Sequence, residues 1–350
     1  MRALVLAMAV ASSGCLNWEA LSQMSDGGAD SGTFAMPFEG FGAITTGGDS
    51  QPLFHVTTLA DTGMGTGSLR DALSASNRHI VFDVSGTISL SSEITLDGLS
   101  NLTIDGAGIT LIGAGLFFEN GTHDVIVRGL RVRNSRDDGM HVLDSSRIVF
   151  DHVSVANPVK GAIDVTGDSR DVTIQWCVLQ RPPTSMALAT TVVSFGARRV
   201  SVHHNLYVGE EGNPQLAGAP TNGEFPTADV RNNLLWNWGG NGRDGFGVGV
   251  DDGAGANVVG NFMQTAGIGP ENAVTLNRGP GANAFFFARD NVSGNSQTVL
   301  GGNVGEYSAP AITEDTACGA ARKVLSAAGA RPLDSTDQQL LGGIALSGCP

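Results

Sequence analysis

Residues 171–180 read DVTIQWCVLQ, a polar residue followed by Val172 and Ile174 in alternation with Thr173 and Gln175. Alternation of this kind puts apolar side chains on one face of a strand and polar ones on the other. The pattern returns as NLTIDG from Asn101, DVIVRGLRVRNS from Asp124, RIVFDHVSVAN from Arg147, RVSVHHNLYVG from Arg199, DVRNNLLWNW from Asp229 and NVVGNFM from Asn257. Its spacing, roughly 23 to 30 residues, is too long for a hairpin barrel, in which strands follow one another at about 8 to 12 residues. It suits a parallel β-helix, in which each coil adds short strands to stacked sheets and buries its inward residues against the coils above and below. Insertions then belong to the turns, where binding sites also concentrate.

Composition agrees with a β-rich chain. Among 350 residues there are 49 glycines, only 15% are charged, and short Val, Ile and Leu runs lie between Gly, Asn, Asp and Ser. The formal charge of -14 argues against nucleic acid as a partner, because phosphate is recognised by Lys and Arg. The same excess would repel an acidic polysaccharide unless a cation or a local basic patch intervened.

The segments outside the repeat have their own signatures. MRALVLAMAVASSGC, residues 1–15, joins Arg2 to an apolar run and small residues ending at Cys15, the pattern of an export signal too short to stay as a membrane span. Small residues directly before a cysteine resemble a bacterial lipoprotein signal, so the expected contact with a membrane is a lipid on Cys15; the usual leucine three positions earlier is here Ser12. Residues 16–37 lack an apolar period and read as a flexible tether, residues 38–310 as the β-helix domain, and residues 311–350 as a helical tail. GTGSLRDALSASN, residues 65–77, sets Leu69, Ala72 and Leu73 on one helical face behind a Ser68 cap and suits a lid over the first coil, where strand edges need cover. The tail offers two more helical stretches, with Cys318 and Cys349 placed to form a disulfide after export, whereas Cys177 reads as a buried core thiol. No short-spaced Cys or His cluster suggests zinc.

GFGAITTGG at Gly40, HVTTLADTGMGTGSLRDAL at His55, IVFDVSGTISL at Ile80, NLTIDGAGITLIG, VTIQW, HHNL, RNNLLWNWG and AGARPLD occur in an order that resembles the bacterial pectate lyases. The match runs from Phe41 to about residue 334. What the resemblance implies is an all-β, right-handed, single-stranded parallel β-helix with an amino-terminal capping helix and the tail packed on the solenoid. It also implies β-elimination on polygalacturonate, with an arginine as base and with calcium, Lys and Arg stabilising charge on the uronate.

The residues that this chemistry requires are altered. Where many family members carry Arg-Asn-Pro-Arg, this chain has Gly212, Asn213, Pro214 and Gln215, so the base position is Gly212 and the second arginine is Gln215. Glycine has no side chain and an amide carries no charge. The segment Arg181 to Gly196, where the family places a lysine, has none, and Met186 stands nearest its place. In SRDDGMHV and NPVKGAIDV, Asp138 and Asp164 fall on calcium-ligand positions, while Arg136 and Lys160 stand where further carboxylates would be. Arg136, Asp137, Lys160 and Gln215 would line the groove, and the adjacent positive charge should keep calcium affinity low.

Three functions follow from these residues. One is a lyase whose base comes from elsewhere, such as Arg198, Arg199 or Arg243. Another is a tethered polysaccharide-binding protein that kept the groove and lost the reaction. The third is a glycoside hydrolase using Asp137, Asp138 and Asp164, or Asp251 and Asp252. Beside these stand plain structural readings: DDGMHV as a coil corner with His141 an ordinary strand residue, His203 and His204 as inward and outward positions of a coil, and Trp236 and Trp238 as packing residues on one strand face.

Overall fold

A computed structural model describes residues 37–181, 189–209, 213–238, 246–251, 253–265, 272–276, 284–294 and 302–349. One coil shows how the repeat folds. Met140–Leu143, Ser146–Asp151 and Ser154–Ala156 form three short strands, and Ile163–Thr166 begins the next coil. Each strand pairs in parallel with its equivalent one coil on: Met140 with Ile163, Ile148 with Val172, Ser154 with Val178. The described strands build sheets of eight, ten and nine strands, a right-handed parallel β-helix. The alternation read from the sequence sets its interior, since Ile148, Phe150, Val172, Ile174, Val200 and Val202 are all fully buried in one continuous core. Each such side chain contributes about 1.5–3 kcal/mol through burial.

The corner between the ten- and nine-stranded sheets is held by two columns. His152, Trp176, His204 and Asn232 take positive φ there (52°, 53°, 54° and 53°) and turn the chain sharply. The next residue inward is Asn205, Asn233, Asn261 or Asn291 on successive coils. The oxygens of Asn233, Asn261 and Asn291 each accept from the backbone N–H and the amide of the asparagine one coil before, as when Asn233 Oδ1 takes Asn205 N and Nδ2 at 3.0 Å, and Asn205 Oδ1 accepts from Cys177 N at 2.8 Å. Each amide also donates to a strand carbonyl, Asn233 Nδ2 to Val202 O at 2.8 Å. The ladder supplies the buried corner with donors and acceptors that water cannot.

The capping element is shorter than the 65–77 pattern suggests: α1 spans only Leu69–Ala72, with Ser68 Oγ accepting from Asp71 N at 3.1 Å. Leu69, Ala72 and Leu73 are buried in the core as expected of that face. In the tail, α2 (Ala317–Ala327) lays Ala317, Ala321 and Val324 on Val178, Leu206, Leu234 and Phe262 of the nine-stranded sheet. The helix α3 (Ser335–Gly342) is docked by Arg133, whose guanidinium meets Asp334 at 3.0 Å and Asp337 at 2.8 Å. Cys318 and Cys349 form a disulfide. Across the ten-stranded sheet runs the amino-terminal stretch: Phe41 N donates to Ser201 Oγ, Gly42 N to Thr173 Oγ1 and Gly48 N to Thr103 Oγ1. Two outer faces of the solenoid therefore carry these flanking segments.

Trp236 and Trp238 do not share a face. The pairing with the next coil slips between them, so Trp236 opposes Gln264 while Trp238 opposes Thr265, with Asn237 at φ 62° absorbing the extra residue. A bulge reverses the alternation. Trp238 is fully buried in the core and Trp236 packs beside the tail.

Candidate functional site

The site lies on the outer face of the eight-stranded sheet. Its register aligns Thr95, Phe117, His141 and Asp164 on successive strands, followed by Val192, Gln215 and Gly249. These residues alternate with core residues such as Met140, Val142, Ile163, Val165, Val193 and Leu216, so they point away from the interior.

Asp138 and Asp164 converge on the backbone at Gly161. Asp138 Oδ1 accepts from Gly161 N at 2.7 Å, and a β-carbon at position 161 would collide with the Asp164 carboxylate. Only glycine leaves room there. Asp164 Oδ1 accepts from Val192 N at 2.9 Å. Burial first, and then the Asp138 charge, push the Asp164 carboxyl well above the usual carboxylate range. Two buried carboxylates in such proximity favour holding a proton over carrying two charges. Lys160 Nζ donates to Asp137 Oδ2 at 2.8 Å, and the Asp137 bond with the neighbouring carboxylates raises the lysine's pKa. Lys160 thus stays cationic beside Asp137.

Of the other expected groove residues, Gln215 lies in the outward column and Arg136 turns away from it. Gln215 is buried and donates through Nε2 to Asp251 Oδ2 at 3.0 Å, a neutral amide on a carboxylate. Arg136 does not join the acidic cluster: its guanidinium donates to the carbonyls of Gly113, Leu90 and Ser91 at 2.8–3.0 Å and ties its turn to two earlier coils. Asn213 is buried next to Pro214, whereas Gly212, Met186, Arg243 and Asp252 lie outside the described residues. The alternative bases Arg198 and Arg199 sit at the start of a strand of the ten-stranded sheet, paired with Asp168 at 2.5 Å and Asp171 at 2.6 Å. That corner is away from the column on the eight-stranded sheet.

His203 and His204 both leave the core. His203 alternates with Val200 and Val202 and is covered by the stretch around Glu39, while His204 stacks on Trp176 with ring centroids 4.5 Å apart and meets Asp315 at 3.2 Å. Burial depresses the pKa of both rings. Their sequence reading as one inward and one outward residue fails because positive φ at His204 turns the chain within the pair.

Two participants were missed in the sequence. Arg181 is fully buried, and its charge acts on Asp164 to oppose the rise in that carboxyl's pKa. Alternation makes His141 an ordinary strand residue, yet its Nδ1 lies 3.2 Å from Asp138 Oδ2 and its Nε2 2.8 Å from Thr166 Oγ1. The spacing Asp-x-x-His at residues 138–141 was the available signal, since it brings a carboxylate back over a strand's first outward side chain.

Calcium needs about six to eight oxygen ligands. Here Asp138 Oδ1 and Asp164 Oδ1 are engaged by backbone N–H groups and Asp137 Oδ2 by an ammonium. Among the described residues no group of three or more His, Cys, Asp or Glu side chains could hold a metal ion. The donor set does not fit a resident calcium.

The three sheets and their parallel register place the chain among the right-handed parallel β-helix proteins. The chain is 32% identical to a probable pectate lyase C of Neosartorya fischeri, with 87% of this chain and 75% of that protein aligned. Among solved structures it resembles the pectate lyase of Bacillus sp. N165 in complex with trigalacturonate, at TM-score 0.64 and 15% identity over 83% of this chain and 98% of that one. It also resembles the cedar pollen allergen jun a 1, at TM-score 0.65 and 17% identity over 84% of this chain and 92% of that one. No protein-family model matches the chain. The chain belongs to the pectate lyase family.

Proposed function

We propose that the outer face of the eight-stranded sheet binds a polysaccharide and that calcium-dependent β-elimination of polygalacturonate by this chain is weak or absent. The observation that carries the proposal is Gln215, a neutral amide on Asp251 at the position where the family resemblance puts an arginine. The metal clamp that would offset a uronate's charge is equally poorly supported, because Lys160 is bound to Asp137 and the carboxylate oxygens face protein donors. With a formal charge of -14, the protein suits a glycan of low charge density better than pectate. Binding of neutral and acidic glycans in the presence of a chelator tests this: retention of a neutral chain supports it, and calcium-requiring retention of polygalacturonate alone contradicts it.

The leader and Cys15 suggest export and anchoring through a lipid, with residues 16–37 as the tether. Metabolic labelling with a fatty acid, lost in C15A, is the expected outcome. A hydrolase reading draws on the Asp164 carboxyl, pushed above the usual carboxylate range by burial, close to the Asp138 carboxylate on Gly161 N. It predicts reducing ends released from a neutral glycan and lost in D164N.

A further inference from the structure

We propose that Thr166, His141 and Asp138 form a hydroxyl–imidazole–carboxylate relay that hydrolyses esters, with acyl groups on a neutral polysaccharide as the substrate class. The glycan part rests on the function proposed above, whereas the relay stands on its own geometry. His141 Nε2 lies 2.8 Å from Thr166 Oγ1, and His141 Nδ1 lies 3.2 Å from Asp138 Oδ2. An anionic oxygen at Nδ1 favours the tautomer protonated there, which leaves the Nε2 lone pair to accept the threonine hydroxyl. This is the arrangement by which a hydroxyl is activated as a nucleophile.

The surroundings hold the relay in place. Gly161 N fixes the other Asp138 oxygen at 2.7 Å, and Phe117 meets the imidazole edge-on at 5.5 Å between ring centroids. The imidazole side chain keeps 23% of its surface open. A second observation points to a ligand. Val165 pairs with Val193, so the following residues, Thr166 and Ser194, are outward neighbours on adjacent strands. Ser194 Oγ is buried and has no hydrogen-bond partner among the described residues. A buried hydroxyl without a partner is costly unless a ligand completes it. Here it can donate to the oxygen of an ester carbonyl attacked by its neighbour.

The chemistry balances with water as the only co-reactant. Thr166 Oγ1 adds to the ester carbonyl carbon while its proton passes to Nε2, and the carbonyl oxygen becomes an oxyanion that accepts from Ser194 Oγ. The carbon–oxygen bond to the sugar then breaks, the sugar oxygen takes the proton from Nε2, and the acyl group stays on Thr166. Water, deprotonated by Nε2, attacks that acyl carbon, the acid departs and Thr166 recovers its proton.

The test uses p-nitrophenyl acetate and then acetylated xylan, with nitrophenolate or free acetate as the readout. Wild type is expected to turn over both, H141A and T166V to fall by at least about 100-fold, and T166S to retain hydrolysis. Intact mass under excess ester should show one acetyl group, mapped to Thr166. Circular dichroism of T166V establishes that its loss is not unfolding, and T166S keeps the test open if that variant misfolds. Wild type no faster than T166V, or acetyl mapped elsewhere, overturns the relay. Ester hydrolysis without glycan binding supports the relay and rejects the binding reading; glycan binding without hydrolysis does the reverse.

Discussion

At the scale of single residues, protons decide the behaviour of the buried groups. Asp164 has a folded pKa above its ordinary 3.8, so the folded state holds the proton more tightly than the unfolded chain. The resulting stability is present below the ordinary value and is lost as pH rises through the raised one. The variant D164N keeps an oxygen for Val192 N and removes the ionisation. Its thermal midpoint at pH 7 should exceed that of wild type, by an amount worth about 1 kcal/mol or more, with the gain vanishing near pH 3. A midpoint equal to wild type at both pH values would count against the raised pKa.

His203 has the opposite linkage. Its folded pKa lies well below 6.5, through burial first and His204 second, so the unfolded chain takes up the proton first as pH falls. Stability is full above about 6.5 and declines below it. The groups around the ring are His204, in contact with Asp315, the backbone at Glu39, and the in-register neighbours Gln175 and Arg231 on the adjacent strands. In H203Q the fall in midpoint between pH 7 and pH 5 should be shallower, whatever the variant's absolute stability. An unchanged slope would assign the acid sensitivity to other groups.

At the scale of elements, the asparagine ladder and the tail carry separate predictions. Replacing Asn233 by Ala removes acceptor and donors at once and strands groups on Asn205, Asn261 and Val202. The loss should be about 2–4 kcal/mol in urea unfolding, larger than for an alanine at an exposed position such as Asn120. Opening the Cys318–Cys349 link, which closes a sequence separation of 31, should cost the tail about 3–4 kcal/mol. Reduction should therefore expose Arg322 and Lys323 to trypsin before the coils unfold; simultaneous cleavage throughout the chain would deny the tail its separate stability.

These elements also show what the sequence could convey. A period-two alternation repeated seven times reports strands, spacing and interior together, which is why the β-helix was legible without coordinates of any relative. The ladder was not read, although HHNL, RNNL and GNFM each contain its asparagine, because a polar residue between apolar ones looks like an outward position. The bulge at Asn237 was hidden for a related reason: alternation assumes that no residue is inserted. Arg136 misled because sequence places a charge on a coil but not the direction of a long side chain, which here turns to the carbonyls of earlier coils. His141 and Thr166 are 25 residues apart, and only the stacking of coils brings them together.

At the scale of the whole molecule, two outer faces bear the amino-terminal stretch and the tail, and the third carries the candidate site. Family membership and the proposed loss of β-elimination are compatible, because the coils depend on Val, Ile and Asn in the interior while catalysis depends on a few outward residues. The most direct test is to follow ultraviolet absorbance of the unsaturated product while the domain is incubated with polygalacturonate and calcium. A flat trace, unchanged by chelator, is the predicted result. A rising signal abolished by chelator would contradict the account and require a base and a calcium site that the Gln215–Asp251 and Lys160–Asp137 pairs do not supply.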